Sequence, residues 1–461
     1  MALRTILSYL PEVRKPAEKK VSFNVKLKWT LIVLGAFFIL YNIPLHGLSS
    51  NSLERFKYLA TILGTDFGSI ISLGIGPIVM ASIILQLLVG SGILRIDVKS
   101  EEGKKYYQGL QKLGVLFFIF FEAFVYVLMQ GLQAAPGFTG IVITQLILGG
   151  IAIMLMDEVA SKWGFGSGVS LFIVAGVALQ LFTGLFQFVG TSGENCLLDF
   201  TSTPCGGKVL IIFQSFLNGA PREALLAFTI IAMTTLVFLG VVWAQSLKVE
   251  IPLTFDRLRG YPVKWPLSFF YASNMPVILV AALVANFQLF AGLFENWLGH
   301  PTFLGSFSSG VAVSGLAYWI GYSDVVTATI RNSLQFTQVL QGITHVLFYV
   351  ALSAIFSIFW VKTAGMDASS QARNIMSSGL QIPGFRKDER VLESVLVRYV
   401  MPLTVMGGAA IGLLAGMANL LGVITSGTSI LLAITITYQL YQNIAQQHAV
   451  DMHPALRNFM K

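Results

Sequence analysis

Residues 166–173 read GSGVSLFI, and residues 425–432 read TSGTSILL. Each string is a short opening of small and hydroxyl-bearing residues that leads into a long run of hydrocarbon, the pattern of an apolar helix at its first turn. Working outward, runs able to cross roughly 30 Å of hydrocarbon fall near 29–48, 70–90, 113–132, 141–160, 167–190, 223–245, 270–293, 341–361, 399–421 and 428–446. The two quoted strings therefore open the fifth and the tenth of ten expected spans. The stretch 300–340 is left out, because its apolar core Val311 to Ile320 is short and Gly-rich, and it reads as an outer loop.

Composition agrees with a membrane chain. Of 461 residues, 55% are hydrophobic and 11% charged, with a mean hydropathy of +0.74. A soluble enzyme surface cannot be built from so few charges. Two cysteines and five histidines occur without metal-ligand spacing, so no metal site or cofactor is expected. The net charge of +8 reads as a basic cytoplasmic face beside anionic lipid. Met1 to Lys28 is polar and basic and lacks an Ala-x-Ala site before the first apolar run, so no cleavable signal is expected.

With the N-terminus inside, all Lys and Arg except Arg55, Lys57, Lys208, Arg222 and Arg331 fall on the cytoplasmic side or at its helix ends. That asymmetry puts both termini in the cytoplasm, with basic loops at 91–112, 246–266 and 362–398. Asp157 and Glu158 mark the inner end of the fourth span and Asp66 an outer rim. Glu122 stands within the third apolar run, where a carboxylate must face protein or water.

The echo at 166–173 and 425–432 has a companion. Ile75 to Val79 (IGPIV) lies in the second span and Asn274 to Ile278 (NMPVI) opens the seventh, each with a proline that interrupts the backbone ladder. An odd number of spans per half reverses the topology of the second half, and inverted repeats place their site at the interface. Short Gly/Ser openings also arise from simple helix packing, so the echo alone leaves three readings open. An ion-coupled transporter would need several buried charged residues, a pore needs a lined through-path, and a membrane insertase or scaffold needs neither. No TVGYG filter, charged ring or Gly-x-x-x-x-Gly-Lys phosphate loop occurs.

The run from Leu73 to Leu88 (LGIGPIVMASIILQLL), with Gly166 to Ser170 and Pro383-Gly384-Phe385-Arg386, resembles the SecY family, in particular an archaeal protein-translocation channel subunit of the SecY/Sec61-alpha type. The resemblance extends over essentially the whole chain, to His453-Pro454. It implies an all-α membrane protein, not an enzyme. Ten transmembrane helices would form two inverted five-helix halves of a clamshell, 29–190 and 223–446. An amphipathic cytoplasmic N-terminus 1–28, an external linker 191–222 and a cytoplasmic tail 447–461 complete the chain.

Carried over motif by motif, the resemblance implies a pore ring of Ile75, Val79, Val169, Ile173, Ile278 and Leu432. The i, i+4 spacing of Ile75/Val79 and of Val169/Ile173 puts each pair on one helix face. It implies a plug near 51–65 containing Leu53, Glu54, Arg55, Phe56, Tyr58, Leu59, Ile62 and Leu63, hinged at Gly64, Gly68 and Gly74. Gln86, Asn274 and Asn286 are implied at a lateral gate. Lys248, Arg257, Arg259, Arg386, Lys387 and Arg390 are implied on two loops that dock the ribosome and its RNA. Implied partners are a SecE-like gamma subunit, a Sec-beta subunit, the ribosome, the signal-recognition targeting system, the translocating polypeptide and membrane lipid. The setting implied is the cytoplasmic membrane. Cys196 and Cys205 flank an outer loop in which a local disulfide is topologically allowed, geometry deciding.

Overall fold

A computed structural model describes residues 11–17, 21–97, 100–190, 194–198, 200, 203–255, 262–272, 274–308, 310–377, 380–381 and 388–452. The helices in chain order are α1 (Phe23–Asn42), α2 (Lys57–Ile62), α3 (Gly76–Gly90), α4 (Glu101–Leu128), α5 (Thr139–Trp163), α6 (Gly168–Phe186), α7 (Lys208–Leu217) and α8 (Pro221–Gln245). They continue with α9 (Met275–Leu298), α10 (Leu316–Ile320), α11 (Val325–Ile330), α12 (Phe336–Thr363), α13 (Ala368–Ser377), α14 (Glu389–Leu420) and α15 (Gly427–Met452). A 3-10 turn, Ser52–Phe56, precedes α2.

Among the described residues eight helices are long and apolar enough to cross a membrane: α1, α4, α5, α6, α8, α9, α12 and α14. The chain is an all-α multi-pass membrane protein, since a lipid-embedded backbone must satisfy its amides within its own helix. Burial separates their positions. In α9, 78% of the apolar window is buried inside the protein, against 17% in α1 and 22% in α8, so α9 is central and the other two face outward.

The order of packing within 23–186 returns within 221–452. In the first stretch α3 packs on α4, α4 on α5, α5 on α6 and α1 on α6. In the second α9 packs on α12, α12 on α14, α14 on α15 and α8 on α15. The two sets meet where α3 touches α9 and α12, and where α6 touches α15. The α12–α14 pair is drawn close by Gly408, Gly412 and Gly416, whose Cα hydrogens face Ser357, Ser353 and Val346 at the small-residue spacing of membrane helices.

Helix α3 begins at Gly76, later than the expected start near 70. Residues 63–75 form linked turns in which Gly64, Gly68 and Gly74 take positive φ, a conformation closed to most side chains. In place of a span, 300–340 holds a hairpin of β5 (Ser306–Ser308) and β6 (Val311–Ser314) followed by α10 and α11. Strand β1 (Leu48–Asn51) pairs with β2 (Leu132–Ala134). The basic loops contain a feature that sequence periodicity did not reveal: β3 (Lys248–Phe255) pairs antiparallel with β4 (Pro262–Ser268) and also with β7 (Leu380–Gln381). One three-stranded sheet thus joins two loops about 130 residues apart in sequence.

Candidate functional site

Four helix starts contribute the six aliphatic residues. Ile75 caps α3 and Val79 is its fourth residue; Ile278 is the fourth residue of α9. Val169 and Ile173 are the second and sixth residues of α6, and Leu432 is the sixth of α15. Ile75, Val79, Ile173, Ile278 and Leu432 are buried in one continuous hydrophobic cluster, with partly buried Val169 packed against it. These are stiff or branched hydrocarbon side chains with no polar atom among them, suited to excluding water and ions.

Segment 52–63 is seated in that same cluster. Leu53, Phe56, Leu59 and Leu63 are buried almost completely and Ile62 nearly so. Helix α2 packs on both α6 and α9. The Phe56 ring meets Phe307 edge-on at 5.2 Å and fills the space that a side chain on Gly292 would need. Arg55 donates from Nη2 to Asn296 Oδ1 at 2.9 Å, with its guanidinium 4.9 Å from the Phe56 ring centre. Glu54 is exposed, and Tyr58 lies on α2 with its side chain outside the described residues. The segment is tied to the α3 start through its backbone, since Ile75 N–H donates to the Leu63 carbonyl at 2.9 Å.

A second cluster is polar and lies where α3, α4 and α9 meet. A Cβ placed on Gly76 would sit 3.2 Å from Glu122 Oε2 and 3.7 Å from Asn286 Oδ1. Glu122 is fully buried, and among the described residues neither of its carboxyl oxygens has a hydrogen-bond partner. Asn286 donates to the Ala282 carbonyl at 2.9 Å within its own helix, leaving Oδ1 unpartnered. Gln86, buried further along α3, has an unpartnered Oε1, and Asn274 is buried at the α9 N-cap. Sequence reasoning grouped Gln86, Asn274 and Asn286 but missed Glu122 as the neighbour of Asn286. Its signal was a lone carboxylate in an apolar run.

Of the six basic loop residues, Lys248 and Arg390 are exposed, at the start of β3 and in the first turn of α14. Arg257, Arg259, Arg386 and Lys387 lie outside the described residues. The loops rest on a separate small core of Ile251, Leu267, Tyr271, Ile375, Leu392 and Leu396. Burial pushes the Tyr271 hydroxyl up to about 12, and it donates to the Met366 carbonyl at 2.6 Å. On another face Cys196 and Cys205 form a disulfide with Cα atoms 5.3 Å apart. Among the described residues no cluster of ligands suited to a metal occurs.

A family model described as SecY matches residues 69–441. The Protein translocase subunit SecY of Methanothermobacter thermautotrophicus is 43% identical over 460 residues, covering 99% of this chain and 97% of the relative. That of Methanococcus vannielii is 38% identical over 461 residues, covering 100% and 99%. Among solved structures, "The structure of a protein conducting channel" superposes with a TM-score of 0.83 at 37% identity, covering 98% of this chain and 99% of that one. A SecY protein whose plug domain is described as stabilising the closed state and maintaining a membrane seal gives 0.82 at 37% identity and the same coverage. With a helical membrane fold, a buried aliphatic cluster at four helix starts and similarity along nearly its full length, the chain belongs to the SecY family, the pore-forming, non-enzymatic subunits of protein-translocation channels.

Proposed function

We propose that this chain is the central subunit of a channel that moves secretory polypeptides across the cytoplasmic membrane and releases membrane segments sideways into lipid. In this reading ten spans form a clamshell of two inverted halves, 29–190 and 223–446, linked outside by 191–222. The short α3 and the more polar α15 supply the two spans beyond the eight long apolar ones. Residues 1–28 and 447–461 are cytoplasmic.

The observation that carries the reading is the burial of segment 52–63 in the same hydrophobic cluster as the six aliphatic side chains, with its Leu63 carbonyl hydrogen-bonded to Ile75. Ile75, Val79, Val169, Ile173, Ile278 and Leu432 act as a gasket around the chain in transit. Leu53, Glu54, Arg55, Phe56, Tyr58, Leu59, Ile62 and Leu63 belong to a plug that blocks it at rest; a similar SecY protein has a plug domain described as stabilising its closed state. Gln86, Asn274 and Asn286 line the lateral gate between α3 and α4 on one side and α9 and α12 on the other. The sheet-bearing loops with Lys248, Arg257, Arg259, Arg386, Lys387 and Arg390 meet the ribosome, whose RNA phosphates suit basic side chains. A similar structure is described as Sec61 in a ribosome-channel complex. The remaining partners are a SecE-like gamma subunit, a Sec-beta subunit, the signal-recognition targeting system and lipid. The bound partner supplies the energy.

Cysteine crosslinking tests this. Among the described residues the two native cysteines are paired and leave no free thiol, so Ile75→Cys and Ile278→Cys can be introduced directly. Both should crosslink to a stalled secretory chain carrying one cysteine. Crosslinks only from outward-facing control positions on α8 would refute a central path.

A further inference from the structure

The starts of α6 and α15 are built alike, and neither the aliphatic ring nor the gate accounts for it. In the first half, Val169 N–H donates to Asp157 Oδ1 at 2.9 Å and the Ser167 hydroxyl reaches the same oxygen at 3.3 Å. Asp157 stands near the end of α5. Gly168 is pressed so closely on Asp157 that a Cβ there would overlap its backbone. In the second half, Thr428 N–H donates to Asn419 Oδ1 at 2.8 Å, and Asn419 stands at the end of α14. Gly427 is pressed on Ala418 and Asn419 in the same way. Gly168 and Gly427 open their helices, Val169 and Thr428 are second, and Ile173 and Leu432 are sixth. The echo in the sequence is thus a repeated joint: a side-chain oxygen from one helix caps the next, and a glycine lets them touch.

The second joint is braced further. Asn419 Nδ2 donates to Thr428 Oγ1 at 2.6 Å and to His345 Nε2 at 3.0 Å. His345 Nδ1 lies 2.7 Å from the Ile320 carbonyl, which can only accept, so the proton is on Nδ1 and Nε2 is free to accept. Ser426 Oγ also accepts from Ser429 N–H at 3.1 Å, a cap of α15's own. Ser167 makes no such cap for α6.

We infer that Asp157 and Asn419 are paired positioning residues, each fixing the first turn of one of the two helices that join the halves and thereby holding Val169, Ile173 and Leu432 at the seal. This rests on the proposed ring. Because α6 has no cap of its own, the effect at Asp157 is the larger.

The test uses the full chain with its co-purifying subunits in sealed vesicles, read by small-ion leak through the resting channel. Asp157→Ala should raise the leak about tenfold and Asn419→Ala a few-fold. Asp157→Asn, which keeps the acceptor oxygen, should restore tightness, whereas Asp157→Leu, of similar size but with no acceptor, should leak like the alanine variant; a tight Asp157→Leu would overturn the inference. Leu432→Ala is the control for the ring. A leak from Leu432→Ala with none from either alanine cap variant overturns the inference and leaves the ring standing; tightness in all three overturns both. Should Asp157→Ala fail to accumulate, amide exchange decides. In Asn419→Ala, exchange must quicken at Thr428 while α12 stays protected, and unchanged exchange at Thr428 overturns the inference.

Discussion

The two lines along which the halves meet are finished differently. Where α6 meets α15, and in the helices α5 and α14 that brace them, partly buried Asp157 and buried Asn419, Ser426, Thr428, Ser429 and Thr435 are all hydrogen-bonded. Where α3 and α4 meet α9 and α12, Gln86 Oε1, both oxygens of Glu122, Tyr126 Oη and Asn286 Oδ1 are buried without a partner. An unpartnered buried polar atom costs about 1–3 kcal/mol. The first line therefore gains from staying shut, whereas the second is closed by apolar contact against an internal polar cost. The sideways opening proposed above needs one seam of each kind.

The wedge between the seams offers the largest break in that comparison. Phe56→Ala removes a ring held by Phe307, Arg55 and the backbone of Gly292, and burying no aromatic there costs about 3–5 kcal/mol of docking. Ion leak should rise strongly, while stability of the helices, followed by melting in detergent, should change little. Unchanged leak would mean that the seams seal without the wedge. Gly427→Ala attacks the satisfied seam, because its new Cβ would overlap backbone that cannot swing away. Overpacking of this sort costs about 1–3 kcal/mol, so the melting point should fall and the change should appear in stability before leak.

At the unsatisfied seam the sign reverses. Asn286→Leu deletes an oxygen that has no partner in the closed arrangement, so the closed form should gain about 1 kcal/mol. Translocation of a substrate with a weak signal should slow roughly fivefold, with a strong signal affected less. Faster translocation would show that Asn286 holds the seam shut.

Much of this was legible in the sequence. Hydrocarbon run length located the eight long apolar helices, and the Gly-rich shortness of Val311 to Ile320 kept 300–340 from being read as another. The start of α3 was placed too early, because apolar composition continues through 70–75 while Gly68 and Gly74 turn the backbone. Composition registers the first and not the second. Strand β7 escaped because its pairing joins distant loops, and the local β3–β4 hairpin because its stretch, with Pro252, Pro262 and Pro266, was read for its charge alone. Asp157 read as a span boundary, Asn419 drew no attention, and Glu122 stood alone. What a polar side chain does at the end or middle of an apolar helix depends on which other helix arrives beside it, and that is set by tertiary packing.

The smallest expected effect concerns the braced side again, at the C-terminal end of α5. Lys162 donates to Glu12 at 2.7 Å and to Glu158 at 2.7 Å, while Lys112 reaches the other Glu158 oxygen at 2.9 Å. Trp163 Nε1 donates to the Arg14 carbonyl at 2.9 Å, so residues 12–14 are strapped to the helix that carries Asp157. The hydrogen bond from Lys162 holds the Glu12 carboxyl below the usual glutamate range. A group depressed on folding stabilises above its unfolded pKa, and that contribution is lost as pH falls through the folded value. Glu12 is 63% exposed, and such pairs are weak and screened by salt. Acidification from about pH 7 to about pH 3 should therefore raise protease cutting within 11–17 only a few-fold, and Lys162→Met should reproduce the rise at neutral pH. If the strap merely decorates the fixed seam, leak stays unchanged in that variant. A leak that rises with strap release would instead make the N-terminal segment part of what keeps the α5–α6 joint closed.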